Sequence, residues 1–185
     1  CVLAGFAAAA FFPSGWQGFL AGFAVFVAGL ALCARKAHLL LMMDDWAFAA
    51  RLAAGGDPVI ERTLQSFRQA ANAELADPSY GETIVIGHSL GCVFAVDALA
   101  AMGRHDDKSV CLMTAGSSLL KIALNKRAAW VRENVKCIVA AQSRWLDIQA
   151  LTDVISFYGA DPAAACGAPV APFLRIVKIR FRKML

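Results

Sequence analysis

The first 34 residues contain no Asp, Glu, Lys, Arg or His, so every formal charge of this 185-residue chain lies in residues 35–185. Other absences narrow the chemistry. The six cysteines, Cys1, Cys33, Cys92, Cys111, Cys137 and Cys166, form no CxxC pair, and no histidine stands near them at zinc-finger spacing. No metal site is expected. Scattered single cysteines in apolar runs read as small core residues. There is no P-loop and no G-x-G-x-x-G element, so nothing points to a phosphate cradle or an organic cofactor. Internal repeats and low-complexity linkers are also missing. A net charge of +4 is modest. The densest basic cluster, Arg175, Lys178, Arg180, Arg182 and Lys183, comes with no nucleic-acid motif, which argues against a nucleic-acid partner.

What is abundant is apolar: hydrophobic residues make up 59% and the mean hydropathy is +0.57. Much of the excess sits in the uncharged N-terminal stretch. CVLAGFAAAAFF is followed by the punctuation PSGWQG and then by FLAGFAVFVAGLALCA, Phe19 to Ala34. Counted from Trp16, the second run holds 19 residues, enough for a hydrocarbon core of ~30 Å at ~1.5 Å per residue. Residues 1–36 therefore read as a transmembrane helical hairpin with its first helix cut short. Arg35 and Lys36 close the second run, which places the rest of the chain on the cytoplasmic side of a lipid bilayer. A signal peptide would carry its basic residues before the apolar run.

Residues 37–57 read as a juxtamembrane amphipathic helix ending at Gly55-Gly56. Asp44 and Asp45 within it are sequence neighbours that do not share a helix face, so they make a poor acid–base pair. His38 receives no role. From residue 58 the pattern changes. Asp57-Pro58 opens a helix over Val59–Ala76. TIVIG is a short strand without a polar face, as in a buried parallel sheet. Gly91–Met102 is a helix, and Ser109–Gly116 is another buried strand. Lys121–Ala141 carries at least one helix. Arg144–Ala150 is a third strand, and Phe173–Phe181 is a fourth with the alternation of an edge strand. Strands alternating with helices predict an α/β domain with a parallel sheet flanked by helices.

Between the first strand and its helix lies Gly87-His88-Ser89-Leu90-Gly91, a match to G-x-S-x-G in the strand–turn–helix context that motif needs. Such a turn strains the serine backbone and projects Oγ from the end of the sheet, making Ser89 the candidate nucleophile. Gly87 and Gly91 leave room where side chains would collide. The Leu90 N–H at the helix start is a candidate oxyanion donor. An acid is expected after a later strand, and Asp153 fits. Asp147, inside the third strand, and Asp161, in the following ADP turn, are weaker candidates. The base is harder to place. His88 lies inside the turn with its side chain expected to point away from that of Ser89. His38 is upstream, and His105 follows the helix after the turn, at the far end of the sheet. No histidine follows Asp153. The general base is therefore expected beyond Leu185, and the 185-residue chain alone is expected to be inactive and poorly soluble. Ser118-Leu119-Leu120-Lys121 matches S-x-x-K without its partner motifs, so Ser117 or Ser118 reads instead as a helix cap.

GHSLG, SVCLMTAGSS and WLDIQALTDVISF together resemble the α/β-hydrolase fold of lipases and esterases over residues 82–185. More narrowly, the chain resembles bacterial membrane-embedded proteins of that fold. The resemblance implies a partial α/β-hydrolase domain over residues 58–185, with Ser89 as nucleophile, Asp153 as acid, Leu90 N–H as an oxyanion donor and Gly87, His88 and Gly91 as the elbow. It also implies attachment to the bacterial inner membrane. The expected activity is hydrolysis of an ester or thioester, an acyl or lipid substrate suiting the membrane. The alternatives are a non-catalytic membrane-tethered scaffold and an acyltransferase on the same fold. The chain departs from the fold's pattern at both ends, lacking the early strands, the loop with the second oxyanion donor and the histidine.

Overall fold

The structure is a computed structural model and describes residues 15–36, 39–77, 79–103, 109–153 and 156–180. The chain divides into two compact units, residues 1–48 and 49–185.

In the first unit, helix α1 spans Gly15–Lys36 as 22 continuous residues. Its apolar side chains lie open. Trp16, Phe19, Phe23 and Leu32 are 67%, 70%, 55% and 61% exposed, and Phe19 stacks on Phe23 one turn along, their centroids 6.4 Å apart. Among the described residues no helix is long and apolar enough to cross a membrane, which corrects the transmembrane reading of this segment. The polar step Gln17-Gly18 interrupts the run. The unbroken apolar stretch Phe19–Ala34 is 16 residues, about 24 Å against ~30 Å of hydrocarbon. The other arm of the expected hairpin, residues 1–12, lies outside the described residues. Helix α2, Leu39–Ala54, carries Asp44 and Asp45 exposed. His38 is outside the described residues.

The second unit is α/β. Helix α3 covers Pro58–Ala76; the Asp57 carboxylate accepts from the Val59 and Ile60 amides, and Pro58 fills the first position, where no N–H is needed. Strand β1 spans Glu82–His88, α4 Gly91–Met102, β2 Ser109–Ala115, α5 Leu119–Ala123, α6 Ala129–Ala140, β3 Arg144–Ala150, α7 Pro162–Ala165 and β4 Leu174–Ile179. The segment 121–141, expected to carry at least one helix, holds the end of α5 and all of α6. The break falls where Asn125 Oδ1 accepts from the Arg127 N–H, a side-chain turn that competes with continued helix.

The four strands lie in the order β1-β2-β3-β4, every pair parallel. Sequential order with right-handed crossovers puts the connecting helices on one face. The burial pattern agrees. Leu112 and Thr114 of β2 are fully buried, and Trp145, Asp147 and Gln149 of β3 are 2–4% exposed. In register with their neighbours, Ile84, Ile86 and Val177 point to the opposite face and stay 47%, 66% and 37% exposed. Strand β4 is an edge, as its alternation predicts. Strand β1 is the other edge and is half-exposed, contrary to its expected burial. An apolar run reports the capacity for burial on both faces, and here Ile84 and Ile86 on one face of β1 stay exposed.

The helix layer is tied together by charge as well as by apolar packing. Asp97 of α4 is 2% exposed and accepts two hydrogen bonds of 2.7 Å from Arg68 of α3 and one of 2.9 Å from Asn134 Nδ2 of α6. That node joins three helices at the middle of α4, the helix that follows the serine turn.

Candidate functional site

The turn between β1 and α4 carries the strongest local signal. Ser89 has φ +53°, in the left-handed region that non-glycine residues avoid, while Leu90 returns to right-handed helix at φ −63°. The preceding glycine is required: a Cβ on Gly87 would lie 2.6 Å from Cys92 Cα and 2.9 Å from Ala95 Cβ. The same argument fails at Gly91, where an added Cβ would meet no atom within 4 Å. The expected need for two glycines is therefore a need for one. Gly91 instead opens α4, turned toward free space.

The strain at Ser89 is held by the loop that leaves β2. The Ser89 N–H donates to the Ala115 carbonyl at 3.1 Å, and the Ser118 N–H donates to the Ser89 carbonyl at 3.2 Å. The Ser89 and Leu90 carbonyls accept in turn from the Cys92 and Val93 amides. The amides of Leu90 and Gly91 precede these and take no backbone acceptor among the described residues. Backbone N–H groups without a backbone acceptor at the first turn of a helix are the kind of group that can meet an anion.

Asp153 follows β3 and reaches the same end of the sheet. Its Oδ2 comes within 3.0 Å of the point a Gly116 Cβ would occupy, and His88 Nε2 within 3.7 Å of that point. Gly116, at φ +52°, thus has both the predicted acid and the imidazole of the turn within 4 Å of its Cβ position. It is one residue from the carbonyl that holds Ser89. The Asp153 loop is shaped by its own bonds: the Ser156 N–H donates to Oδ1 at 3.3 Å, and the Ser156 hydroxyl donates to the Asp153 carbonyl at 3.2 Å.

The two weaker acid candidates have structural roles. Asp147 is buried, accepting from Thr114 Oγ1 and, at 2.7 Å, from Gln149 Nε2. Gln149 continues the network to the Ala160 carbonyl and the Gly159 amide, at 2.8 and 2.6 Å, and so fastens the segment after the acid loop. Asp161 caps α7, accepting from the Ala163 and Ala164 amides. Of the histidines, His88 is exposed on the open face of the sheet, and His38 and His105 are outside the described residues. No group of three or more potential metal ligands occurs among the described residues.

Sequence reading missed the loop 115–118 as part of the site. The signal was present as GSS directly after a strand: a glycine able to take positive φ, then two small hydroxyl residues. Ser117 is the cap anticipated for the next helix, its Oγ accepting from the Leu119 N–H at 3.1 Å. Ser118 makes no side-chain cap bond. It is 1% exposed, and its Oγ lies 3.5 Å from that of Ser89. The nearby thiol does not compete as a nucleophile, since burial pushes Cys92 above its ordinary value, against a smaller lowering from its hydrogen bond with Ser117. An apolar groove of about 550 Å³ runs along β1 between α3 and α4, walled by Phe67, Ile84, Phe94 and Met102, and reaches the turn at His88 and Gly91.

These features define an α/β unit with a parallel sheet and a strained serine at a strand–helix turn. Protein-family models, curated proteins and solved structures provide no match to the chain.

Proposed function

We propose that the protein is a serine hydrolase of the α/β-hydrolase type, acting on an ester or thioester at a membrane. The observation that carries this reading is the left-handed Ser89 between a parallel strand and a helix, at a turn whose leading glycine has no room for a side chain. Ser89 Oγ adds to the substrate carbonyl carbon while its proton passes to an imidazole base. The oxyanion is met by the Leu90 amide, and the bond to the leaving alcohol or thiol breaks as that group takes the proton. Water then repeats the sequence on the acyl-enzyme, releasing the acid and restoring Ser89. Asp153 orients the base. No residue of this chain is assigned as that base. The groove that ends at His88 and Gly91 suits the acyl part of such a substrate. The open side chains of α1 support attachment to a lipid bilayer.

A non-catalytic scaffold on the same fold is the second reading. It is favoured by the one histidine among the described residues, His88, being exposed beside Gly116. Acyl transfer to an acceptor other than water shares every residue named. The test is an acyl-enzyme trap: short p-nitrophenyl esters are added to the intact protein in native-like membranes. A burst of p-nitrophenol, with the acyl mass recovered on the peptide holding Ser89, is expected. Absence of both, where a control hydrolase in the same membranes reacts, favours the scaffold.

A further inference from the structure

Ser118 is a buried hydroxyl without a structural task. It precedes α5 but does not cap it, because Ser117 Oγ receives the Leu119 amide. Buried hydroxyls are nearly always partnered. Among the described residues the partner given to this one is Ser89 Oγ, 3.5 Å away. The backbone of Ser118 already holds the Ser89 carbonyl, and Ala115, three residues earlier, holds the Ser89 amide. One short loop therefore makes three contacts with a single residue: its N–H, its C=O and its side-chain oxygen. The first two hold the strained backbone. The third bears on the atom that would react.

We propose that Ser118 is a positioning residue for Ser89: its hydroxyl donates to Ser89 Oγ, fixing the rotamer and leaving the Ser89 proton free for the base. The inference rests on the reading of Ser89 as a nucleophile. A serine hydroxyl has one proton to give and two lone pairs. If Ser118 donates, the Ser89 O–H is not spent on Ser118. The contact also strengthens as Oγ gains negative character on losing its proton, because hydrogen bonds to charged oxygen are the stronger kind. It is long in the resting state, as such contacts often are before substrate arrives.

The experiment measures the second-order rate of fluorophosphonate modification across pH 6–9, with a thermal melt of each variant, for the intact wild-type protein, Ser118→Ala, Ser118→Thr and Ser118→Cys in native-like membranes. Loss of one such bond slows Ser118→Ala by about tenfold or more at every pH. Ser118→Thr, which keeps the hydroxyl, recovers most of the rate. A purely structural Ser118 would lower the melting temperature without changing the rate of the folded protein, and that result overturns the proposal. Should Ser118→Ala not fold, the near-isosteric Ser118→Cys carries the test: a rate well below wild type supports the proposal and a wild-type rate overturns it. If wild type does not react at all, the nucleophile reading falls and this inference falls with it.

Discussion

At the scale of single residues, the serine turn separates two glycines that look alike in sequence. Gly87 and Gly91 flank the same motif, but one faces backbone at 2.6 Å and the other faces open space. Gly87→Ala is therefore expected to destabilise by about 3 kcal/mol, at the upper end of what overpacking costs, because the obstacle is the Cα of Cys92 and cannot swing aside. Gly91→Ala is expected to stay within about 1 kcal/mol of wild type. Paired denaturant melts check both; equal losses would refute the steric account of the turn. A second prediction concerns Cys166, whose thiol burial pushes up from 9.0 to about 11. Its folded-state value exceeds the unfolded one, so burial of the neutral thiol contributes fully below about pH 9 and the contribution is lost as pH rises to about 11. Cys166→Ala should flatten the fall in stability across that window, and iodoacetamide should spare Cys166 in the folded protein at pH 8. Cys137, by contrast, is exposed, so the reading of scattered cysteines as core residues holds for Cys92 and Cys166 but not for it.

At the scale of elements, the sheet and its helices were legible wherever one periodicity was unbroken. Strand Arg144–Ala150 and helix Gly91–Met102 fall where their patterns place them. Asp57-Pro58 marks its helix start through chemistry that is local in the chain. What was not legible depends on partners far away in sequence. The burial of β1 depends on what lies beside it. The turn between α5 and α6 is held by the Asn125 side chain and by Arg132, which donates to the Asn125 and Lys126 carbonyls. Within the site, Ser89 and Asp153 follow from motif and chain order, whereas the Ser118 contact spans 29 residues and leaves no local trace. The Arg68–Asp97–Asn134 node is the same kind of feature. Removing Asp97 strips three hydrogen bonds and leaves a guanidinium that is 40% exposed and so partly rehydrates. Asp97→Ala is expected to cost about 2–3 kcal/mol, and Arg68→Ala added to it should cost little more. Additive losses in the double variant would show that the two do not act as a pair.

At the scale of the whole molecule, two features ask for surroundings: a helix whose aromatic side chains stand open, and a sheet with one exposed apolar face. Soluble surfaces rarely leave contiguous apolar patches of this kind unfilled. The chain is expected to float with phospholipid vesicles. Phe19→Ser combined with Phe23→Ser should weaken that partitioning by about tenfold or more, since each buried phenylalanine contributes about 1.5–3 kcal/mol; unchanged flotation would remove α1 as the membrane contact. The central claim, however, concerns the serine. Its most direct test is fluorophosphonate labelling of the intact protein, not of the 185-residue chain alone, in native-like membranes beside Ser89→Ala. The account predicts a labelled band in wild type, lost in the variant, with the adduct on the peptide that contains Ser89. A wild type that stays unlabelled while a control hydrolase in the same membranes reacts would contradict it.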